Sequence, residues 1–164
     1  VGNGPRSSAL VAGFTTEHRQ LELELAALKD TEDALLFPSG YAANVAVLTV
    51  LAGPTHQQQQ QQQQMVVFSD ELNHASIIDG ARLAVRTSGS TGSTGSTAGA
   101  VQLMVYRHND LVHLQQLLEG TPAAARKMVV TDSLFSMDGD FADLRVRQSV
   151  EAAVAFRQAR QPGH

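Results

Sequence analysis

The strongest constraint on the fold is an alternation. Short apolar runs alternate with segments of helical spacing, and turn residues separate them. Ala34–Phe37 is apolar and stops at Pro38. The stretch from Ala42 to about Leu51 reads as a helix halted by Gly53-Pro54. Met65–Phe68 reads as a strand, and Ala75–Ala84 as a helix with Ile77, Ile78, Ala81 and Val85 on its inner side. Ala100–Tyr106 is a further strand, followed by a helix over Asp110–Leu118 that Asn109 or Asp110 can cap. Lys127–Thr131 is the fourth strand. Ahead of all these, Thr16–Lys29 places Leu21, Leu25 and Leu28 on one helical face, with Thr15 or Thr16 as cap and Glu17 at the positive end. Strands alternating with helices predict an α/β fold, with a mainly parallel sheet flanked by helices.

Two stretches cannot belong to that pattern. Gln57–Gln64 is an unbroken glutamine run, and Thr87–Gly99 is a Ser/Thr/Gly repeat. Neither supplies an apolar face, so both are expected as mobile surface insertions, which a fold tolerates because closing a longer loop costs little extra entropy. The remainder of the 164 residues suits one compact domain or a piece of a larger one. A net charge of −4 argues against a nucleic-acid partner, and the absence of cysteine excludes disulfides and thiolate metal sites. No apolar run approaches the roughly 20 residues of a membrane span. The start, Val1 to Arg6, has no signal-peptide pattern and no initiator Met, so the sequence is expected to begin inside a longer reading frame and to belong to a cytoplasmic protein. Asn3–Ser8 reads as a flexible basic turn.

In parallel sheets, ligands gather at the carboxyl ends of the strands. The polar motifs of this chain fall there: Ser39-Gly40-Tyr41, Asp70 to His74, His108-Asn109-Asp110, and Asp132 to Asp140. Gly40 and Tyr41 open a helix whose free N–H groups could hold a phosphate, though many helix starts bind nothing. His74 is open to several readings. As a metal ligand it lacks a partner at ligand spacing; as a base it needs an orienting group, Asp70 or Asp79; as a flat ring it could stack on a cofactor; as a plain helix-start residue it would pack against its loop. Ser136, Asp138 and Asp140 surround Gly139, which suits either a ligand or a simple turn. No P-loop, nucleophile elbow or Ca²⁺ loop is present.

Five segments in order, "GPRSSALVAGFTTEHRQLE", "LLFPSGYAAN", "FSDELNHASIIDGARLA", "YRHND" and "VVTDSLFSMDGDFADL", resemble the α-oxoamine synthases, pyridoxal-phosphate (PLP) enzymes of the fold-type I aminotransferase group. The resemblance covers about Gly2 to Leu144. It implies a fragment of the large PLP-binding domain. Gly40 and Tyr41 match the turn that holds the cofactor phosphate and its surroundings. His74 matches the histidine that stacks on the pyridine ring beside the amino-acid substrate, and Ser136 matches the serine near the phenolic oxygen. PLP acts in this family as an electron sink for a carbanion at the amino-acid Cα, which attacks an acyl thioester with loss of CO₂. "YRHND" and "TDSLFSMDGDFA" look like plant-type members that condense L-alanine with pimeloyl-CoA or a pimeloyl carrier protein. The runner-up, which shares "LNHASIIDG", acts as a glycine C-acetyltransferase. Members of this group work as homodimers.

The resemblance also marks what is missing. The family's cofactor-anchoring lysine and its downstream Asp-Glu-x-His have no counterpart. The two lysines are Lys29, at the end of the first helix, and Lys127, at the start of the fourth strand. From Arg145 the sequence departs from the family. The expected organisation is a helical lead-in over 1–30, a partial PLP-binding α/β domain over 31–144 with inserts at 57–64 and 87–99, and a divergent tail over 145–164 carrying a short helix around Val150 and Val154. Two roles follow from the resemblance: part of a catalytic subunit that needs the rest of the protein, or a non-catalytic truncated subunit that pairs with intact enzyme.

Overall fold

The computed structural model describes residues 7–53, 63–88 and 100–145. The bulk of the glutamine run, the Ser/Thr/Gly repeat from residue 89 onward, the basic turn up to Arg6 and the tail beyond Arg145 lie outside the described residues. The chain divides into two compact units, up to Ser39 and from Gly40 onward.

In the first unit a π-helical turn, Ala9–Gly13, precedes α1, Thr16–Lys29. Thr15 is the cap, and its N–H donates to His18 Nδ1 at 3.2 Å. The predicted leucine face of α1 is not buried: Leu21 and Leu28 are exposed, and Glu22 and Ala26 are the buried positions instead. The reason is polar. Glu22 accepts from Arg19 Nη1 and, at 3.0 Å, from the backbone N–H of Leu36. That bond also explains why Ala34–Phe37 forms no strand, contrary to expectation. The N–H of Ala34 is taken by the Asp33 carboxylate and that of Leu36 by Glu22, so side chains fill the role a neighbouring strand would play.

The second unit holds the sheet. Its elements are α2 (Gly40–Ala52), β1 (Met65–Asp70), α3 (Ala75–Ser88), β2 (Val101–Tyr106), α4 (Leu111–Glu119) and β3 (Arg126–Val130). The strand order is β2-β1-β3, all parallel, with Met65 beside both Val101 and Arg126. Three strands rather than four therefore form among the described residues. The others fall within two residues of their sequence-predicted ends, and the helices run up to four residues longer.

Every residue of β1 is buried, as a central parallel strand requires. Its alternation sorts two cores. Met65 and Val67 pack with Ala52, Ala81, Ala84 and Val101 on one face. Val66 and Phe68 pack with Tyr106, Leu114 and Leu118 on the other. The Val, Leu, Phe and Met side chains among these each contribute about 1.5–3 kcal/mol by leaving water, the alanine methyls less. Because β2 and β3 lie on opposite sides of β1, the chain reverses direction across the sheet. The carboxyl ends of β1 and β3 consequently border a crevice, the position where open α/β sheets bind ligands.

α3 crosses α2 so closely that any side chain at position 80 would make its neighbours shift. A Cβ there would lie 3.0 Å from Leu48 Cδ1 and 3.1 Å from Val45 Cα. On α3, Ile77, Ala81 and Ala84 are buried, whereas Ile78 and Val85 are only half-buried. The cap of α4 is Asp110, not Asn109: its Oδ1 accepts the His113 N–H at 2.8 Å. Asn109 instead adopts a left-handed backbone (φ 51°), which asparagine tolerates. No helix among the described residues is long and apolar enough to cross a membrane.

Candidate active site

One buried amide ties together the strand ends that border the crevice. Asn73 lies just past β1, 4 % exposed, and its side chain bridges the two strand ends. Its Nδ2 donates to Ser69 Oγ at 2.9 Å and to the Val130 carbonyl at 2.9 Å, while its Oδ1 accepts the Asp132 N–H at 2.8 Å. Asp132 returns the bond by accepting the His74 N–H at 2.7 Å. The ends of β1 and β3 are thus tied by groups whose hydrogen-bonding capacity is filled.

The neighbouring cavity, about 380 Å³, is lined by Asn73, His74, Asp132, Phe135, Ser136 and Asp138, among others. His74 and Ser136, singled out in the sequence, therefore come together. The imidazole of His74 is oriented by Ser76. Both the Ser76 N–H, at 3.1 Å, and its hydroxyl, at 2.7 Å, meet His74 Nδ1. The Ser76 hydroxyl itself accepts from Asn44 Nδ2 on α2 at 2.9 Å. With a backbone N–H aimed at it, Nδ1 is an acceptor, so the ring carries its proton on Nε2. Neither proposed carboxylate orients His74: Asp79 accepts from Tyr41 Oη at 2.6 Å, and Asp70 is engaged elsewhere.

Gly40 and Tyr41 do not line this cavity. They open α2, where nothing lies within 4 Å of a Cβ at Gly40. The hydrogen bond to Asp79 raises the Tyr41 pKa, and burial adds to it. The link to the cavity is indirect, through Asn44 and Ser76.

Ser136 rides on a small hairpin. Leu134 pairs with Phe141, the Phe135 N–H donates to the Asp140 carbonyl, and the Gly139 N–H donates to the Phe135 carbonyl. Gly139 has φ 73°, which makes glycine the residue for this turn. Phe135 is buried and meets the His108 ring edge-on at 4.4 Å between centroids. His108 lies between two carboxylates, with Nδ1 2.8 Å from Asp70 Oδ1 and Nε2 2.8 Å from Asp140 Oδ2. Asp70, fully buried, also accepts the N–H groups of Leu72 and Asn109. Asn109 Nδ2 adds a bond to Asp140 Oδ2 at 2.8 Å. The sequence marked His108 as a strand-end polar residue, Asn109 as a candidate helix cap and Asp70 as a candidate partner of His74, with no link among the three. Their joint role depends on the register of β1 against β2, which places Asp70 beside Tyr106.

Residues 8–155 match the family described as aminotransferase class I and II. The chain belongs to that family. This class I and II aminotransferase chain is 47 % identical over 160 residues to the 8-amino-7-oxononanoate synthase of Arabidopsis thaliana, covering 94 % of the chain and 31 % of that protein. Among solved structures, a serine palmitoyltransferase of Sphingomonas wittichii superposes with a TM-score of 0.70 at 29 % identity, over 92 % of this chain and 32 % of that one. The 8-amino-7-oxononanoate synthase of Francisella tularensis gives a TM-score of 0.58 at 27 % identity, over 84 % and 32 %. The chain spans about a third of the length of the relatives it matches. The expected fold, a portion of the large domain of this aminotransferase group, is the one observed.

Proposed function

We propose that this chain forms the cofactor-facing part of a PLP-dependent α-oxoamine synthase that joins L-alanine to a pimeloyl thioester, with loss of CO₂ and release of the free thiol, to give 8-amino-7-oxononanoate. The observation that carries the reading is the convergence of His74 and Ser136 on one cavity between β1 and β3. Its size is in the range that small ligands occupy, and its lining combines a flat ring, a hydroxyl and carboxylates. The 47 % identity to the 8-amino-7-oxononanoate synthase of Arabidopsis thaliana supports it.

The residues suit a flat pyridine phosphate. His74 would lie against its ring, held by Ser76 and Asn44, with the Nε2 proton free to meet a substrate carboxylate or carbonyl. Ser136 would donate to the ring's phenolic oxygen. The first turn of α2, opened by Gly40 and anchored by Tyr41 through Asp79, would receive the phosphate. When bound, PLP supplies the electron sink that makes the amino-acid Cα acidic. The chain's part is to orient that cofactor and shield it. Its lysines do not complete the site: Lys127 lies on β3 at the end away from the cavity, and Lys29 ends α1. An anchoring lysine must come from a longer chain or an intact partner subunit.

The test uses the full-length protein carrying this sequence. Addition of PLP should give a visible absorption band that borohydride abolishes, and alanine with pimeloyl-CoA should yield 8-amino-7-oxononanoate. A folded full-length protein with no such band contradicts the proposal. A band with glycine and acetyl-CoA as the productive pair moves the substrate to the C-acetyltransferase branch. Recovery of the short chain only in complex with intact enzyme, without catalysis, assigns it the subunit role.

A further inference from the structure

The Asp70–His108–Asp140 cluster is not part of the cavity lining, yet it touches the element that carries Ser136. Ionised carboxylate oxygens accept hydrogen bonds and do not donate. Each ring nitrogen of His108 faces one carboxylate oxygen at 2.8 Å, with Asn109 Nδ2 a further 3.3 Å from Nε2. When both carboxylates are ionised, each nitrogen donates to one of them and the ring is an imidazolium between two acceptors. It is largely sheltered, with its side chain 18 % exposed. One carboxylate belongs to the end of β1, the other to the hairpin after β3, and His108 itself follows β2. Three strand-end segments meet on one imidazolium. We infer that His108 is a positioning residue: it clamps the hairpin bearing Phe135 and Ser136 against the ends of β1 and β2, and so fixes the wall of the cavity.

Three features support a clamp rather than an incidental contact. Phe135 packs edge-on against the same ring, so the hairpin is gripped by its core as well as by its carboxylate. Asp140 Oδ1 is buried with no hydrogen-bond partner among the described residues, so the hold on this carboxylate runs through Oδ2, where His108 and Asn109 donate. The backbone N–H of His108 is itself fixed by Glu71 Oε1 at 2.8 Å. The charged and titratable groups around the ring are Asp70 and Glu71 from the end of β1, Asp140 from the hairpin, and Arg107, Asp110 and His113 from its own loop and α4. Arg107 and Asp110 pair with each other at 2.7 Å. Burial disfavours the imidazolium, but the bonds to Asp70 and Asp140 outweigh it and hold the His108 pKa above its usual 6.5. The His108 bond holds Asp140 below its usual 3.8. The clamp is therefore complete between those two usual values and opens as pH rises through the His108 pKa.

The inference rests on the cavity being the cofactor seat, but it has readouts of its own. In the full-length protein without PLP, ¹⁵N-histidine spectra should show His108 more than half protonated at pH 6.5, with both nitrogens carrying hydrogen. Hydrogen exchange at pH 6 should show the 135–142 amides losing protection roughly tenfold or more in Asp140→Ala and in His108→Gln, with α3 unchanged. In Asp140→Asn, which keeps an acceptor and removes the charge, the pH at which protection is lost should move lower. A purely structural contact would not move that midpoint. A neutral His108 at pH 6.5, or unchanged protection in both Asp140→Ala and His108→Gln, overturns the clamp. If these results hold and the wild-type protein still captures no PLP, the cofactor reading fails and the clamp stands. If PLP is captured while both variants keep full protection, the reverse is true.

Discussion

Two polar networks cap the carboxyl end of the sheet, one on each side of β1, and they are built from different chemistry. Toward β3, Asn73 ties the strands with amide and main-chain groups. Toward β2, His108 ties them through charges shared with Asp70 and Asp140. The first should hold the crevice at any moderate pH. The second should hold it only while the imidazolium persists. A rigid floor and a titratable wall thus border the same cavity.

The largest effect should come from the floor. Asn73→Ala leaves the Asp132 N–H and the Val130 carbonyl without their partner, and Ser69 Oγ without its donor. Chemical denaturation should show a loss of about 3 kcal/mol. The loss should be nearly the same at pH 5.5 and pH 8. A loss that halves across that range would show that the two networks are not separate.

Next comes the packing beneath both. Gly80→Ala puts a methyl 3.1 Å from the Val45 Cα, which backbone cannot easily yield. A destabilisation of about 1–3 kcal/mol is expected. A melting temperature equal to wild type would show that α2 and α3 are held less tightly than this geometry implies.

His108→Gln tests the wall. A histidine whose pKa is raised on folding adds stability that is complete below its unfolded value, near 6.5, and disappears above the folded one. Asp140, with its pKa lowered, adds stability that is lost as pH falls below 3.8. The difference between wild type and variant should peak near pH 5 to 6 and shrink toward alkaline pH. A pH-independent difference would assign His108 to packing on Phe135 alone.

The smallest effect belongs to Tyr41→Phe. Its hydroxyl bonds Asp79 at 2.6 Å, but the ring is half exposed. Removal should cost less than about 1 kcal/mol. A larger loss would mean that this bond, rather than the Gly80 crossing, sets the start of α2.

The contrast between the networks also tracks what the sequence disclosed. Period and turn chemistry placed β1, β2, β3 and the helices between them, because a buried parallel strand and an amphipathic helix leave their mark on neighbouring residues. Ala34–Phe37 carried the same mark and is no strand, because its N–H groups are satisfied by Asp33 and Glu22. Local pattern does not record who the partner is. His74 and Ser136 were legible through resemblance, and the fold brings both to one cavity. Asn73 sat beside His74 unremarked, since its bridge exists only once β1 and β3 are in register. His108 was a motif residue without a role for the same reason: Asp140 is 32 residues away, and only the hairpin brings it back.

The most direct test of the cofactor seat is PLP titration of the full-length protein, followed by its visible absorption, in wild type, His74→Ala and Ser136→Ala. The account predicts a band in the wild type, with affinity lowered roughly tenfold or more in His74→Ala and the band displaced in Ser136→Ala, whose hydroxyl would meet the ring oxygen. Equal affinity and an identical spectrum in all three would contradict it, and would move the cofactor away from the crevice between β1 and β3.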